Sequence, residues 1–480
     1  MKTAPFLPLS ALLFAALTAA PHPGQGSLRV ATWNIKTVGI PGTLGFNSTI
    51  DVLQRLQPDI IAINEVNGAV EIPELIQLAN MAGYPHVIVA GENPFGGLRN
   101  AILSKLPFVS TGFLMSDDLS GDPLANDITR TILTAVVDVP GGGQLTFVCG
   151  HWKAGVDDID EFRRAIESIR TVQTLGGLNS LQDAFVIAGD LSEEIDDVPQ
   201  SPSPFTSIPP GEPMGFVLGS DLAAELAGPG IVNDPFFYLQ DAAQGDARAL
   251  DAEQLDGNDA TAEFSGRRLD YLLVSRNLWS TCPPAEVYDS TDEGLGGGLP
   301  KFGTPLGAST SLEASTRYPV FADLTLPAGP VATGSSTPYG CGLNPAGSLT
   351  VLSGSPTVGT VIELGVDNPL GTQAAGSLSL LGLSLAPDAA FPCGIPVPGW
   401  GMTAGAPGEL LLSLSPLDLI DPLMIGPPWA GAGLPAPFPL PLPPNCNLLG
   451  LSLFAQGVIV ELVGPVGIGL SNGLELQLGP

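Results

Sequence analysis

The sequence predicts an α/β domain over residues 28–326 followed by an all-β, Gly/Pro-rich unit at the C-terminal end. Two observations carry that prediction. Up to Leu326, short β-rich apolar runs alternate with helical stretches, the pattern of sheets covered by helices. Beyond Pro327 the composition turns to Gly, Pro, Ser and Leu, with short alternating apolar runs, and no Lys or Arg follows Arg317. At 480 residues the chain is also long for one domain.

Within the first unit, apolar runs at 28–33, 59–66, 86–90, 101–103, 132–139, 145–149, 184–188, 269–274 and 320–326 read as strands. Residues 51–56, 73–81 and 159–175 read as helices. The last places Phe162, Ile166, Ile169 and Val172 on one stripe, with Asp157 and Asp158 favouring its N-terminal turn. Residues 192–230, rich in Pro, Ser and Asp, read as long surface loops. Residues 327–340 read as a linker and 341–480 as a β-sandwich-like unit, with strand-like runs at 410–414 and 458–462. The proline-rich stretch 435–444 reads as an extended polyproline segment.

The first 20 residues have the form of an export signal: Lys2, a short apolar run from Phe6 to Leu17, and Thr18-Ala19-Ala20 as a small-residue cleavage site. That run is too short to span a bilayer, and no later stretch is apolar enough to be a transmembrane segment. The expected destination is therefore secreted, periplasmic or cell-surface, where disulfides are permitted. The cysteines divide as Cys149 and Cys282 in the first unit and Cys341, Cys393 and Cys446 in the second, which leaves at least one thiol unpaired. There is no Cys-x-x-Cys, so no zinc or redox pair is indicated. A formal charge of −31 opposes binding of long duplex nucleic acid at low salt. Divalent cations or high salt weaken that objection.

The chemically suggestive residues lie at or just past the ends of predicted strands, which gathers them along one sheet edge. Glu65 ends a buried strand and suits a magnesium ion, which takes oxygen ligands. Asn34 could orient that carboxylate or touch the metal; Asp190 could orient attacking water; His151 could donate to a phosphate oxygen. Asp270 is a lone carboxylate in an apolar strand and needs a partner, for which His151 is a candidate. Each residue alone has a plainer reading as a turn former, helix cap, strand-end carboxylate or satisfied buried histidine.

Together, Thr32-Trp33-Asn34-Ile35, Ile63-Asn64-Glu65-Val66, Gly150-His151-Trp152-Lys153, Ala188-Gly189-Asp190-Leu191-Ser192 and Arg268-Leu269-Asp270-Tyr271 resemble the endonuclease/exonuclease/phosphatase superfamily, the deoxyribonuclease-I-like fold. Asn100-Ala101-Ile102-Leu103-Ser104 and Arg130 extend the likeness. The resemblance implies a four-layered α/β sandwich and magnesium- or manganese-dependent cleavage of phosphate esters. By it, Asn34 and Glu65 are metal-side residues and His151, Asp190 and Asp270 catalytic, with Asp270 the partner of a histidine. Asn100, Ser192 and Arg317 are phosphate-binding.

Two motifs depart from the family. Its Gly-Asp-x-Asn is Gly189-Asp190-Leu191-Ser192 here, and its closing Ser-Asp-His-x-Pro-Val is Ser315-Thr316-Arg317-Tyr318-Pro319-Val320. No histidine follows His151, so the lost imidazole is not replaced from a shifted register. Arg317 is then expected to hold a phosphate anion, and Thr316 or Glu313 to offer a weaker metal contact. The sequence thus supports an exported phosphoesterase of reduced activity acting on a small ester or nucleic acid. Its alternative is a pseudoenzyme that binds phosphate, metal or, through the C-terminal unit, a surface partner.

Overall fold

The computed structural model describes residues 27–91, 97–195, 204–209, 216–241 and 243–480, so the export signal expected at 1–20 lies outside the described residues. Two sheets stack face to face in the first part of the chain. A seven-stranded sheet has Ser27–Asn34, Ile60–Asn67 and Val320–Thr325 at or beside its centre; a six-stranded sheet has Gly143–His151, Ala184–Asp190 and Asp270–Ser275.

The period-two alternation of side chains explains why these strands read as continuous apolar runs. In the first sheet Val30, Ile60, Ala62 and Ile102 point at the second sheet, which answers with Leu133, Phe147, Val186 and Leu272. The alternate residues Ala31, Trp33, Ile61 and Ile63 pack beneath helices Leu44–Leu56 and Ile72–Ala82. On the outer face of the second sheet, Val148, Phe185, Ile187 and Leu273 meet Phe236 and Leu239 of helix Pro235–Gln240, which packs with helix Asp158–Gln173. Helices, sheet, sheet and helices make the four-layered α/β sandwich.

The helix expected at 51–56 begins seven residues earlier, at Leu44. Asn47, Ser48 and Thr49 are weak helix formers and mask its first turns, whereas burial of Phe46, Ile50 and Leu53 on one stripe stabilises them. Strand Phe108–Leu114 has exposed, mixed residues and pairs along Ile132–Val139 as a sheet edge, so no pattern announced it. The reading of 192–230 as loops needs correction. Helix Ser220–Ala227 lies there, and its Leu222 and Leu226 join Phe162 and Ile166 in one apolar cluster, a burial that outweighs the surrounding Pro and Gly signals.

After residue 334 the chain forms only strands and one short 3-10 turn, in sheets of five, three and two strands. The five- and three-stranded sheets enclose a core in which Leu364, Val366 and Phe438 share a cluster with Leu381, Ala455 and Leu476. Two expectations change here. Ser335–Tyr339, inside the stretch read as linker, is an edge strand against Ile468–Gln477. The proline-rich segment contains strand Ala436–Pro441 rather than free polyproline. It is an edge strand whose Ala436, Phe438 and Leu440 point inward while Pro437, Pro439 and Pro441 point out, and an edge tolerates residues that cannot donate to the ladder.

The two parts are not independent beads. Cys282 is bonded to Cys446 across them, Cys341 to Cys393 within the second, and Cys149 is the buried free thiol. Leu250, Leu278 and Val287 of the first part belong to the same apolar cluster as Leu349, Val358 and Leu442 of the second.

Candidate active site

Strand register assembles the site. The parallel pairing of Ser27–Asn34 with Ile60–Asn67 sets Asn34 against Asn64, next to Glu65. The parallel pairing of Gly143–His151 with Ala184–Asp190 sets His151 against Asp190, and the antiparallel strand beside it sets Asp270 against Asp190. Strand Val320–Thr325 runs antiparallel to the first, so the segment 315–318 arrives over Asn34. Trp33 Nε1 donates to the Arg317 carbonyl at 2.8 Å and Ser315 Oγ to the Asn34 carbonyl at 2.8 Å, which pins that segment down.

Backbone strain marks the same place. Six described non-glycine residues have left-handed φ, and Lys36 (62°), Glu65 (66°) and Ser192 (53°) are three of them. Glu65 sits where the ladder to Leu98–Ser104 slips between Ile63 and Val66. Such a bulge re-aims one side chain out of strict alternation, and strain of this kind, on the order of 1–3 kcal/mol per residue, concentrates at functional sites. Gly189 has a different constraint: a Cβ there would lie 1.9 Å from the Gly150 carbonyl oxygen, so no side chain fits before Asp190.

The polar groups form one web. Asn34 Nδ2 donates to Glu65 Oε1 at 2.7 Å and to Asp190 Oδ2 at 2.8 Å, while its Oδ1 accepts from Lys36 N. Asn64 links three strands: its Nδ2 donates to Asn100 Oδ1 and the Gly150 carbonyl, each at 2.9 Å, and its Oδ1 accepts from Asp190 N. His151 Nε2 lies 4.0 Å from Glu65 Oε1 and 3.9 Å from Asp190 Oδ2; its Nδ1 is buried without a hydrogen-bond partner. Burial, aided by the cations Arg130, Arg317 and Lys36, pushes His151 down to about 3, so the ring is neutral.

Arg317 bridges two buried carboxylates, Nη2 to Asp190 Oδ2 at 2.8 Å and Nη1 to Asp270 Oδ2 at 3.0 Å. The outcomes differ. Burial alone would raise Asp190, but Arg317, His151, Asn34 and Ser192 together hold it below the ordinary carboxylate range. Asp270 is pushed up to about 7 by burial and by the neighbouring Asp190, with only partial relief from Arg317 and Thr261. Thr261 Oγ1 donates to Asp270 Oδ2 at 2.8 Å, and Asp270 Oδ1 has no partner.

The structure therefore brings together Asn34, Glu65, His151, Asp190, Asp270 and Arg317, and revises several roles. Asp270 holds Arg317 where a histidine was expected, because the guanidinium reaches both carboxylates from the 315–318 segment. Arg317 directs both its Nη groups at carboxylates of the protein, a different role from the phosphate contact assigned to it. Ser192 caps Asp190, with N and Oγ both 3.0 Å from Oδ1. Asn100 is fully buried behind Asn64, and its Nδ2 donates to the Thr131 carbonyl. Asn34 acts toward the carboxylates through its amide hydrogens, not as an open oxygen ligand. Glu313 accepts from Ser48 and Ser309, and Thr316 is joined through its carbonyl to Glu263 N, so neither enters the web. Asn64 and Thr261 were missed. Asn64 adjoins Glu65 in the motif, but Thr261 left no signal in the sequence.

Glu65, His151 and Asp190 each offer one ligand atom, all within 4.8 Å of one another. Two carboxylates and a neutral imidazole are a fitting donor set for a divalent cation. A surface hollow lined by Asp251, Glu253, Glu286 and Leu299 lies elsewhere and shares none of these residues.

The sequence pattern of the Endonuclease/Exonuclease/phosphatase family matches residues 31–292, more than half of the chain. The chain belongs to that family. The match takes in Asn34, Glu65, Asn100, His151, Asp190, Ser192 and Asp270, and stops before Arg317. Among solved structures, an endonuclease/exonuclease/phosphatase from Beutenbergia cavernae is similar at 15% identity and TM-score 0.41, covering 93% of this chain and 100% of that one. The 2′,3′-cyclic phosphatase ANGEL2 is similar at 14% identity and TM-score 0.39, covering 64% and 97%. The 3′ phosphatase NExo from Neisseria, bound to a product DNA hairpin, is similar at 17% and 0.33, covering 62% and 99%. No curated protein matches the sequence significantly. As a member of the family, the chain is of the phosphoesterase/nuclease type, and its acidic cluster can hold a cation.

Proposed function

We propose that this family member is exported and hydrolyses phosphate esters at the Glu65–His151–Asp190 cluster with bound magnesium or manganese. The observation that carries the reading is the convergence of those three ligand atoms, from three separate strands, within 4.8 Å. Glu65 and Asp190 would hold the ion with His151 beside them. A divalent cation supplies charge neutralisation at a phosphoryl oxygen. Asp190, kept ionised, orients the attacking water. His151, neutral, donates to a phosphoryl oxygen, and Asn34 keeps both carboxylates aimed at the same point. Arg317 stands where the family has an imidazole; it fixes Asp190 and Asp270 but, as a guanidinium, cannot exchange a proton near neutrality. Losing a positioned acid or base costs on the order of a hundredfold to ten-thousandfold in rate, hence a slow enzyme. Export rests on the signal-like first 20 residues and agrees with two disulfides, which persist in oxidising compartments.

The test is manganese-dependent hydrolysis of bis-p-nitrophenyl phosphate by the full chain and by Glu65→Ala, with manganese binding followed by calorimetry. The expected result is a rate above background that the variant loses together with ion binding. Equal rates for the two proteins would sink the proposal. The second reading, binding without turnover, is favoured by the Arg317 bridge; it predicts manganese or phosphate binding that depends on Glu65, without hydrolysis.

A further inference from the structure

The second unit buries a carboxylate for which it has no cation. No Lys, Arg or His occurs after Arg317, yet Glu409 lies there with only 3% of its surface exposed. A buried carboxylate ordinarily has a cation, a metal ion or several N–H donors. Asp367, another buried acid of the same unit, meets that requirement with Trp429 Nε1 on one oxygen at 2.8 Å and Gly433 N on the other at 2.9 Å. Among the described residues the Glu409 carboxylate has a single donor, Cys341 N on Oε2 at 2.9 Å. What stands beside it is sulfur: Cys341 Sγ, Cys393 Sγ and a carboxylate oxygen of Glu409 all lie within 4.8 Å of one another.

Three separate segments bring these atoms together. Strand Gly408–Leu410 pairs with Ile395–Val397, which sets Glu409 against Pro396, just past Cys393. Asn344, just past Cys341, accepts from Glu409 N at 2.9 Å and donates to the Glu409 carbonyl at 2.8 Å, and Gln456 Nε2 donates to the same carbonyl at 2.7 Å. Buried amides therefore hold the Glu409 backbone whether or not the sulfurs are bonded. Cys341 is exposed and Cys393 half-buried, so a small reductant can reach the bond. The sequence gave no sign of this cluster, because its cysteines are 52 residues apart rather than in a Cys-x-x-Cys.

We propose that, once the Cys341–Cys393 bond is reduced, Cys341, Cys393 and Glu409 bind a divalent cation of the zinc class. A dithiol supplies two electrons and two protons, which leaves two cysteine thiols and a cyclic disulfide of the reductant. The ion then displaces both thiol protons to solvent and takes two thiolates and the carboxylate as ligands. Zinc accepts such mixed sulfur and oxygen sets, whereas magnesium requires oxygen. Exposure of Cys341 leaves a fourth position to water. Bond and ion are alternatives, since bonded sulfurs carry no thiolate charge and the oxidised chain offers the carboxylate alone. When bound, the ion ties the same two segments that the bond ties and supplies the countercharge that Glu409 lacks.

The experiment titrates cobalt(II), a spectroscopic substitute for zinc, into the full chain as isolated and after reduction by dithiothreitol and anaerobic desalting. The readout is the thiolate-to-cobalt charge-transfer band in the near ultraviolet, which an ion held by Glu65, His151 and Asp190 does not give. The expected result is a band that appears only in the reduced chain, saturates near one cobalt per chain and is bleached by zinc. The double variant Cys341→Ser with Cys393→Ser should lose it. Cys282→Ser with Cys446→Ser should keep it, which excludes the other bridge as its source. Glu409→Gln, which still accepts from Cys341 N, should bind cobalt at least about tenfold more weakly, the loss that even a supporting partner causes at a metal site. No band in the reduced chain, a band that survives loss of Cys341 and Cys393, or unchanged affinity in Glu409→Gln would overturn the site. Circular dichroism accompanies each titration, and a reduced chain that unfolds and stays unfolded with cobalt also counts against it, because the ion is expected to hold the segments that the bond held.

Discussion

Arg317 and Asp270 illustrate how one substitution rearranges a charge network. A guanidinium at 317 cannot exchange a proton near neutrality, but it reaches two aspartates at once; Asp190 stays ionised, and Asp270 titrates near 7. The raised Asp270 makes a pH prediction. Because its carboxyl is pushed up to about 7 in the folded chain, the folded state holds a proton that the unfolded state has already lost above about pH 4. Its contribution to stability is therefore greatest below about pH 4 and is lost as pH rises toward 7. In metal-free buffer, the stability of Asp270→Asn relative to wild type should improve steadily across that window and level off above it, as read by urea unfolding at a series of pH values. A pH-independent difference would contradict the raised value. The residue identities were legible in the sequence; the pairing was not, since Asp270 and Arg317 are 47 positions apart and their contact depends on strand register.

At the scale of elements, the ladder between Gly143–His151 and Ala184–Asp190 decides whether the site exists. Gly150 and Gly189 are paired in register, and the space between them admits no Cβ at Gly189. Gly189→Ala should therefore cost about 1–3 kcal/mol or more through forced separation of the strands, measurable by denaturant unfolding. It should also weaken manganese binding, because His151 and Asp190 end those same strands. Unchanged stability and ion binding would show that the ladder relaxes freely. The strands carrying the site were readable because burial on both faces makes them continuous apolar runs. The edge strand Phe108–Leu114 and helix Ser220–Ala227 were not, since one lacks a hydrophobic pattern and the other is short and set among Pro and Gly.

Across the whole molecule, the C-terminal sheets are joined to the first unit by a shared apolar cluster and by the Cys282–Cys446 bond, which spans 164 residues of sequence. A cross-link closing so long a loop restricts the unfolded chain, and losing a native disulfide typically costs about 2–5 kcal/mol. The double variant Cys282→Ser with Cys446→Ser should melt several degrees below wild type in a thermal scan, while retaining the Cys341–Cys393 bond. Equal melting temperatures would mean that the apolar cluster alone joins the two parts.

From its sequence alone, this protein could be placed in a fold and a family, because the apolar runs and the strand-end motifs are local features that a linear text preserves. The odd number of cysteines, five, also required that at least one thiol remain unpaired within the monomer. Only the tertiary structure decided which charges meet: that Arg317 binds Asp190 and Asp270, and that Ser192 and Asn100 support the site from behind. Those outcomes depend on register and on the direction of individual side chains, which packing sets across hundreds of residues and which no single segment encodes.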